Sequence, residues 1–492
     1  MQYVLGLDIG TSGVKALLLS ENGEIVRVCG ASYAPDVSAN GHVEQHPAVW
    51  WENTRRVIQD ITKDGCFDIA AIGCSGQMHS SVFLDANGEV VRPAILWNDT
   101  RTTEQVRKIH ELAGGEAQML RHVYNRALEG FTLPKILWLK ENEPENFQKV
   151  RHVVLPKDYI NYMLTGRLVT DFSDAAGTVA FDVKNRRWSN EIIEAAGLTP
   201  DIFPPALEST AAVGTVRKDL AAGLGLPEDV TVIAGGADNS CAAIGNGIIS
   251  PGEAVISIGT SGTVVAFLDA IPREVTGDVH LFNYSYPGSY YAMGCMLSAG
   301  ESLNWLKRIV NKSFDEINTL AENVSAGCDG LLFLPYLFGE RCPYNDPHAR
   351  GVFFGLTGAS GAGELARAVM EGVAYNIKGM FDLVENFAGV KSVRLTGGGA
   401  KSGPWSRIIA CVLDREIGIL NVEEGPALGA ALIAAVGRGV FGSFPDAIAK
   451  TVQVKETVRP DPEQSAVYRR AYEMFKAVYE ANRSLFAGIR HS

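Results

Sequence analysis

The amino-acid sequence predicts an α/β protein built from two similar halves, and three observations carry that expectation. Residues 7–19 read LDIGTSGVKALLL and residues 257–268 read SIGTSGTVVAFL, so Thr11 and Thr260 stand at matching places 249 positions apart in a chain of 492. Short apolar runs such as 69–74 and 230–234 alternate with amphipathic segments such as 48–61 and 102–112, the rhythm of strands layered with helices. The length exceeds the roughly 100–200 residues of one typical domain, and 46% hydrophobic against 20% charged residues supplies apolar material for more than one core. Two units, 1–245 and 246–492, are the expected division.

The first repeat copy reads as an apolar strand, a Gly-Thr-Ser-Gly turn and a second apolar strand, a β-hairpin whose loop leaves its backbone exposed. Run 69–74 leads into Gly76-Gln77-Met78-His79, and the short run 95–96 into Trp97-Asn98-Asp99. Pro204 and Pro205 mark a loop. Run 230–234 then meets Gly235-Gly236-Ala237-Asp238-Asn239, where paired glycines predict a flexible turn. The second repeat copy is again a hairpin. Beyond it the spacing predicts a helix over 364–387, with Leu365, Val369, Val373, Ile377 and Met380 on one face. Residues 392–396 read as a short strand running into Gly397-Gly398-Gly399-Ala400-Lys401. A helix over 404–413 follows, with Pro404 in its first turn, where a missing N–H is harmless.

Composition excludes several function classes. The 44 Lys+Arg against 56 Asp+Glu give a formal charge of −12, without the basic footprint that a phosphate backbone requires, so no nucleic-acid partner is expected. Eight cysteines, at 29, 66, 74, 241, 295, 328, 342 and 411, form no Cys-x-x-Cys pair and are too sparse for a disulfide scaffold, which fits a reducing, cytoplasmic setting. The longest apolar stretch, 426–436, falls far short of the roughly 20 residues that span a bilayer, and no basic leader precedes the first apolar run. Neither secretion nor membrane insertion is expected. The 52 glycines exceed the ~7% average and point to tight turns and close backbone approaches.

Five constellations could carry chemistry. In Asp8-Ile9-Gly10-Thr11-Ser12-Gly13, glycines let backbone N–H groups face an anion while Thr11 and Ser12 add hydroxyl donors. Asp8 would sit beside phosphates only with a divalent cation between them, since like charges repel. It therefore reads as a metal organiser, the alternative being a glycine-rich hairpin with a solvated Asp. Gly259-Thr260-Ser261-Gly262 is the matching cradle, and two cradles face to face would clamp a polyphosphate between the halves. Gly397-Gly398-Gly399 leaves room for a flat ligand at a strand end or is merely a tight turn; its spacing is neither G-x-G-x-x-G nor a P-loop. Asp238, after a buried strand, is a candidate general base for phosphoryl transfer with Asn239 as a partner for a polyol, the alternative being an Asp N-cap. Met78, His79 and Trp97 put polar donors beside an aromatic wall, which suits a sugar, although a lone His is more often structural.

Two longer segments, GFTLPKILWLKEN at 130–142 and GVFFGLTGASGAGELARAVMEG at 351–372, resemble the signatures of the FGGY carbohydrate kinases. With the two GTSG loops, the resemblance covers nearly the whole chain. GQMH at 76–79, AILWNDTR at 94–101, LPKDY at 155–159 and SDAAGT at 173–178 are similar to the branch that phosphorylates D-xylulose. They differ from the glycerol branch, whose corresponding segment has Arg-Glu. The resemblance implies two actin-like (ribonuclease H-like) domains with ATP in the cleft between them, Mg²⁺ accompanying the ATP. It also implies transfer of the γ-phosphoryl group to the terminal hydroxyl of D-xylulose, giving D-xylulose 5-phosphate in xylose metabolism. Carried over by position, Asp238 would be the catalytic base and Asp8 the carboxylate that holds Mg²⁺ through water. Thr11, Ser12, Gly259 and Thr260 would form the phosphate loops, and Gly300, Asn304 and Gly399 would lie near the adenosine. Met78, His79, Trp97 and Asn239 would contact the sugar, and a homodimer is allowed for.

Three positions depart from the family pattern: Ser80 follows GQMH in place of Gly, Ala237 stands for the third glycine before Asp238, and Cys342 follows Gly-Glu-Arg in place of Thr. None removes a reacting group, but Ser80 bears on which pentulose or polyol is preferred. The alternatives are a kinase for another polyol or ketose (ribulose, fuculose, an autoinducer sugar) and an idle sugar sensor on the same fold. A sensor would require loss of the base or a phosphate loop, and Asp8, Thr11, Asp238 and Thr260 are all present.

Overall fold

The computed structural model describes residues 1–489; residues 490–492, the end of the second expected half, lie outside them. Gln2–Ile9 (β1) is a nearly continuous apolar run and becomes a strand flanked on both edges, as such runs do when both faces are covered. It turns through Gly10, whose N–H bonds Gly13 O at 2.9 Å, into Gly13–Ser20 (β2), and Ile25–Ser32 (β3) continues the antiparallel meander. On the other side Asp68–Gly76 (β4) runs parallel to β1 and Thr231–Ala237 (β6) parallel to β4, with Ala212–Thr215 (β5) at the edge, giving the order β5-β6-β4-β1-β2-β3.

The second half repeats this plan. Glu253–Ile258 (β7) and Gly262–Leu268 (β8) form the second hairpin, followed by His280–Asn283 (β9), Tyr290–Met296 (β10), Ser392–Thr396 (β11), Ile417–Leu420 (β12) and Val454–Val458 (β13). The order is β9-β10-β8-β7-β11-β12-β13. Stripped of edge strands, β3-β2-β1-β4-β6 and β10-β8-β7-β11-β12 share both sequence and sense of pairing, antiparallel twice and then parallel twice. The repeated GTSG words are the visible trace of that shared topology.

Helices join the halves. Helix Gly425–Arg438, although drawn from the second half, lies across β1, β4 and β6 of the first sheet. It crosses Asp238–Gly245 so closely that a methyl on Gly429 would stand 1.8 Å from Cys241 O, an approach only glycine permits. Lys15 on β2 pairs with Glu424 at 2.6 Å, just before that helix. Helix Ala362–Ala388 extends the expected 364–387 by two residues and one residue at its ends and buries Val369, Val373, Ile377 and Met380, with Leu365 partly buried. Its first turn is held by Glu364, which accepts the Gly361 N–H at 2.8 Å.

One local expectation is corrected. Gly235-Gly236 is not a flexible turn: β6 runs on to Ala237 with a bulge between Ile233 and Gly236, and Gly235 takes φ +74°. A single left-handed glycine in a paired strand shifts register without reversing the chain. Asp238 therefore opens the next helix as its first residue, with Ala237 at the N-cap, so the N-cap alternative for Asp238 does not hold.

Candidate active site

Parallel pairing decides where the chemistry-bearing residues meet. In register, Ile9 stands beside Gly76 and Gly76 beside Ala237, so the carboxyl ends of β1, β4 and β6 deliver Asp8, Gln77 to His79 and Asp238 to one edge of the sheet, the place where ligands settle on open α/β sheets. In the second sheet Ser257 is paired with Thr396, which brings Gly259-Thr260 and Gly397–Gly399 to the equivalent edge.

Asp238 Oδ1 accepts both the backbone N–H and the side-chain amide of Asn239, at 2.6 and 2.9 Å, and its Oδ2 carries no hydrogen bond among the described residues. Burial pushes its carboxyl up to about 7, the negative charge of Asp8 adds to the rise, and the two Asn239 bonds oppose it. Asp8 is raised to about 6, first by burial and then by Glu424, against the Ser75 hydroxyl (3.0 Å to Oδ1) and Lys15. The negative charge of Asp8 thus makes ionisation of Asp238 costlier, and a cation beside them would relieve it. Among the described residues no cluster of three or more metal-ligating side chains surrounds Asp8, so a divalent ion there would take most of its oxygens from water and phosphate, the habit of Mg²⁺.

Asp238 lines a cavity of about 240 Å³ together with Met78, His79, Trp97 and Asn239 from the first half, and Gly259, Ser261 and Arg341 from the second. All four expected sugar-side residues are thus brought together with the expected base. His79 Nδ1–H donates to Gly177 O at 2.6 Å, and burial holds the imidazole neutral, leaving Nε2 as an acceptor. Its backbone sits at φ +67°, held there by Thr132 and Lys135, which both donate to its carbonyl at 3.0 Å. Trp97 spends its indole N–H on Thr11 Oγ1 at 2.8 Å, so the first phosphate-type loop is tied to the cavity wall. Ser80, a departure from the family pattern, donates its hydroxyl to Gln77 and accepts the Trp97 N–H, both at 3.1 Å. It braces the wall without lining the cavity. Cys342 is likewise outside it.

A second cavity of about 480 Å³ is lined by Gly259, Thr260, Gly300, Asn304 and Gly399, the residues expected toward the nucleotide, with Phe314, Asn318 and Trp405 beside them. Gly259 borders both cavities. Gly300 donates its N–H to Gly259 O at 2.9 Å, and a methyl on Gly300 would lie 2.4 Å from that oxygen. Asp8, Thr11 and Ser12 line neither cavity.

Sequence reasoning missed two features. Arg341 in the first cavity closes the Gly-Glu-Arg segment, which was read for its neighbour Cys342 and not for the site. Beneath Asp238 lies a buried cluster in which Lys157 Nζ meets Asp158, Asp171 (2.9 Å) and Asp174 (3.5 Å). Asp171 accepts the Ser173 hydroxyl at 2.6 Å, and Ser173 Oγ accepts the Ala237 N–H at 3.0 Å. The LPKDY and SDAAGT segments that supply all of this cluster but Asp171 were visible, but only folding puts them under β6. Three carboxyls share one ammonium there. Burial pushes Asp174 well above the carboxylate range, with its neighbours Asp158 and Asp171 adding to the rise.

Two family models match the chain: the N-terminal domain of the FGGY family of carbohydrate kinases over residues 3–245 and its C-terminal domain over 254–438. The chain belongs to the FGGY family of carbohydrate kinases. It is therefore a phosphotransferase enzyme with the two-domain fold of that family. Similar FGGY kinases are the xylulose kinase of Lactococcus lactis, 42% identical over 98% of this chain and 97% of that one, and the xylulose kinase of Bacillus subtilis, 39% identical over 100% and 99%. The solved structure of ligand-bound xylulose kinase from Lactobacillus acidophilus, 26% identical, superposes over 99% of this chain and 100% of that one with a TM-score of 0.93. All eight cysteines of this FGGY kinase are free thiols, and among the described residues no helix is long and apolar enough to cross a membrane.

Proposed function

We propose that this kinase transfers the γ-phosphoryl group of ATP to the terminal hydroxyl of D-xylulose, giving D-xylulose 5-phosphate and ADP. The observation that carries the reading is the placement of one carboxyl, raised to about 7, in a cavity of about 240 Å³ that shares Gly259 with the larger cavity next door. The smaller space suits a five-carbon sugar and the larger a nucleoside, with the phosphates at the shared loop. The names of the relatives favour xylulose among sugars.

Asp238 acts as the general base through its free Oδ2, while Asn239 fixes the other oxygen. As the sugar oxygen bonds to phosphorus and the bond to the ADP oxygen breaks, the hydroxyl proton passes to Asp238. Neutral His79 offers Nε2 to a sugar hydroxyl, and Met78, Trp97 and Asn239 complete the sugar site. Thr11, Ser12, Gly259 and Thr260 hold the phosphates by backbone N–H and hydroxyl donors, and Gly300, Asn304 and Gly399 receive the adenosine. Asp8 would hold Mg²⁺, which would supply positive charge to neutralise the phosphates of ATP. A coupled assay of ADP release with ATP and a panel of D-xylulose, D-ribulose, L-fuculose and glycerol tests the reading. D-xylulose should show the highest kcat/KM, and a tenfold advantage for any other acceptor would overturn the substrate while sparing the family.

A further inference from the structure

We propose that Arg341 binds the end of the acceptor sugar remote from Asp238 and limits the length of its carbon chain. The inference rests on the reading that the acceptor is a pentulose. Asp238 and Arg341 are the only charged side chains lining the sugar cavity among the described residues. Arg341 and Met293 also line a smaller neighbouring cavity of about 60 Å³, which Asp238 does not touch. Arg341 thus stands in the wall shared by the two cavities, whereas Asp238 lines only the first.

The guanidinium hydrogen-bonds the Cys295 thiol and feels the charge of Glu340, but makes no salt bridge among the described residues. Its neighbour Glu340 turns away: Oε1 accepts the backbone N–H of Arg341 (2.7 Å) and of Leu297 (3.2 Å), and Oε2 accepts the Asn376 amide at 3.0 Å. No carboxylate pairs with the Arg341 guanidinium among the described residues. Nη2 approaches the first half so closely that a methyl on Gly130 would lie 2.9 Å from it. The flanking histidines, His79 and His280, are both held uncharged, chiefly by burial and partly by Arg341 itself.

A guanidinium carries donors and no acceptor, in a planar fork. The end of a ketose remote from its reacting hydroxyl presents a carbonyl oxygen and an adjacent hydroxyl, two acceptors side by side that match such a fork. A longer chain would have to pass this side chain to reach the space beyond.

Two variants separate binding from blocking. Arg341→Met keeps bulk and loses the donors; Arg341→Ala loses both. With the full chain, MgATP and D-xylulose, Arg341→Met should raise KM for the sugar at least about tenfold, about 1.4 kcal/mol, with KM for ATP within about twofold of the parent and no gain on D-fructose. Arg341→Ala should lose the same affinity and raise the kcat/KM ratio of D-fructose to D-xylulose at least about fivefold. A sugar KM within about twofold of the parent in Arg341→Met, or equal losses for sugar and ATP, would overturn the binding role. An unchanged ratio in a folded Arg341→Ala would overturn the length limit. If the parent itself prefers another ketose, the acceptor reading fails, and Arg341 is judged by the same comparison on that ketose.

Discussion

Gly300→Ala probes the joint between the two cavities. The added methyl would lie 2.4 Å from Gly259 O, whereas real Cβ atoms essentially never come within 3.0 Å of a neighbour, so the Gly259-Thr260 turn or the helix Gly300–Val310 must yield by at least 0.6 Å. Neither contact atom is the end of a flexible side chain; both are backbone, and the same movement breaks the 2.9 Å Gly300–Gly259 hydrogen bond. A misplacement of about 1 Å at a reacting centre costs on the order of 10²-fold, so kcat/KM for ATP should fall about 10-fold to 100-fold. Because Gly259 borders the smaller cavity, with Asp238, too, kcat should fall along with ATP affinity. Initial rates from coupled ADP detection, with ATP affinity from calorimetry, measure both. Gly398→Ala is the companion: it borders the larger cavity, yet its methyl meets nothing of the protein within 4 Å, so thermal stability should stay at the parent value. A folded Gly300→Ala enzyme with kcat/KM for ATP within about threefold of the parent would refute the idea that this contact sets the phosphate loop.

Asp238→Asn should lower kcat by roughly 10²- to 10⁴-fold while calorimetric ATP affinity holds; turnover within about threefold would remove Asp238 from the proton transfer. Because burial raises the Asp238 carboxyl to about 7, the base stays protonated to higher pH than an ordinary carboxyl. The sugar kcat/KM should therefore decline on the acid side from near pH 7, and a profile flat down to pH 5 contradicts that environment. Lys157→Met strands Asp158, Asp171 and Asp174 without their ammonium and should cost about 3–5 kcal/mol in urea unfolding; a cost under about 1 kcal/mol would show that the carboxyls simply take up protons. Gly429→Ala, with its methyl 1.8 Å from Cys241 O, should lower the melting temperature by several degrees, since overpacking costs about 1–3 kcal/mol.

Much of the fold was legible because its signals are local. The hairpin copies, the helix over 362–388 and the strand ending at Thr396 follow from hydrophobic period and turn residues within a dozen positions. The glycine pair at 235–236 misled for the same reason: locally it spells a turn, and only pairing with β4 turns it into a bulge. Arg341 and Lys157 were not legible as parts of the site. Arg341 is separated from Gly130 by more than two hundred residues, and Lys157 is an amphipathic side chain whose burial no local pattern announces.

The sequence by itself determined the class, the duplication and the family, since each is written in repeated words and in long signatures. It also determined which residues arrive at strand ends, because Asp8 closes an apolar run and Met78, His79 and Asp238 follow within five residues of one. Tertiary structure alone decided which strand ends are neighbours, for parallel register places Gly76 between Ile9 and Ala237 although 67 and 161 residues separate them in the chain. It also decided the charge states. Burial of Asp238 beside Asp8, and of His79 against Gly177 O, sets their protonation, and burial is a property of what the rest of the chain folds over them.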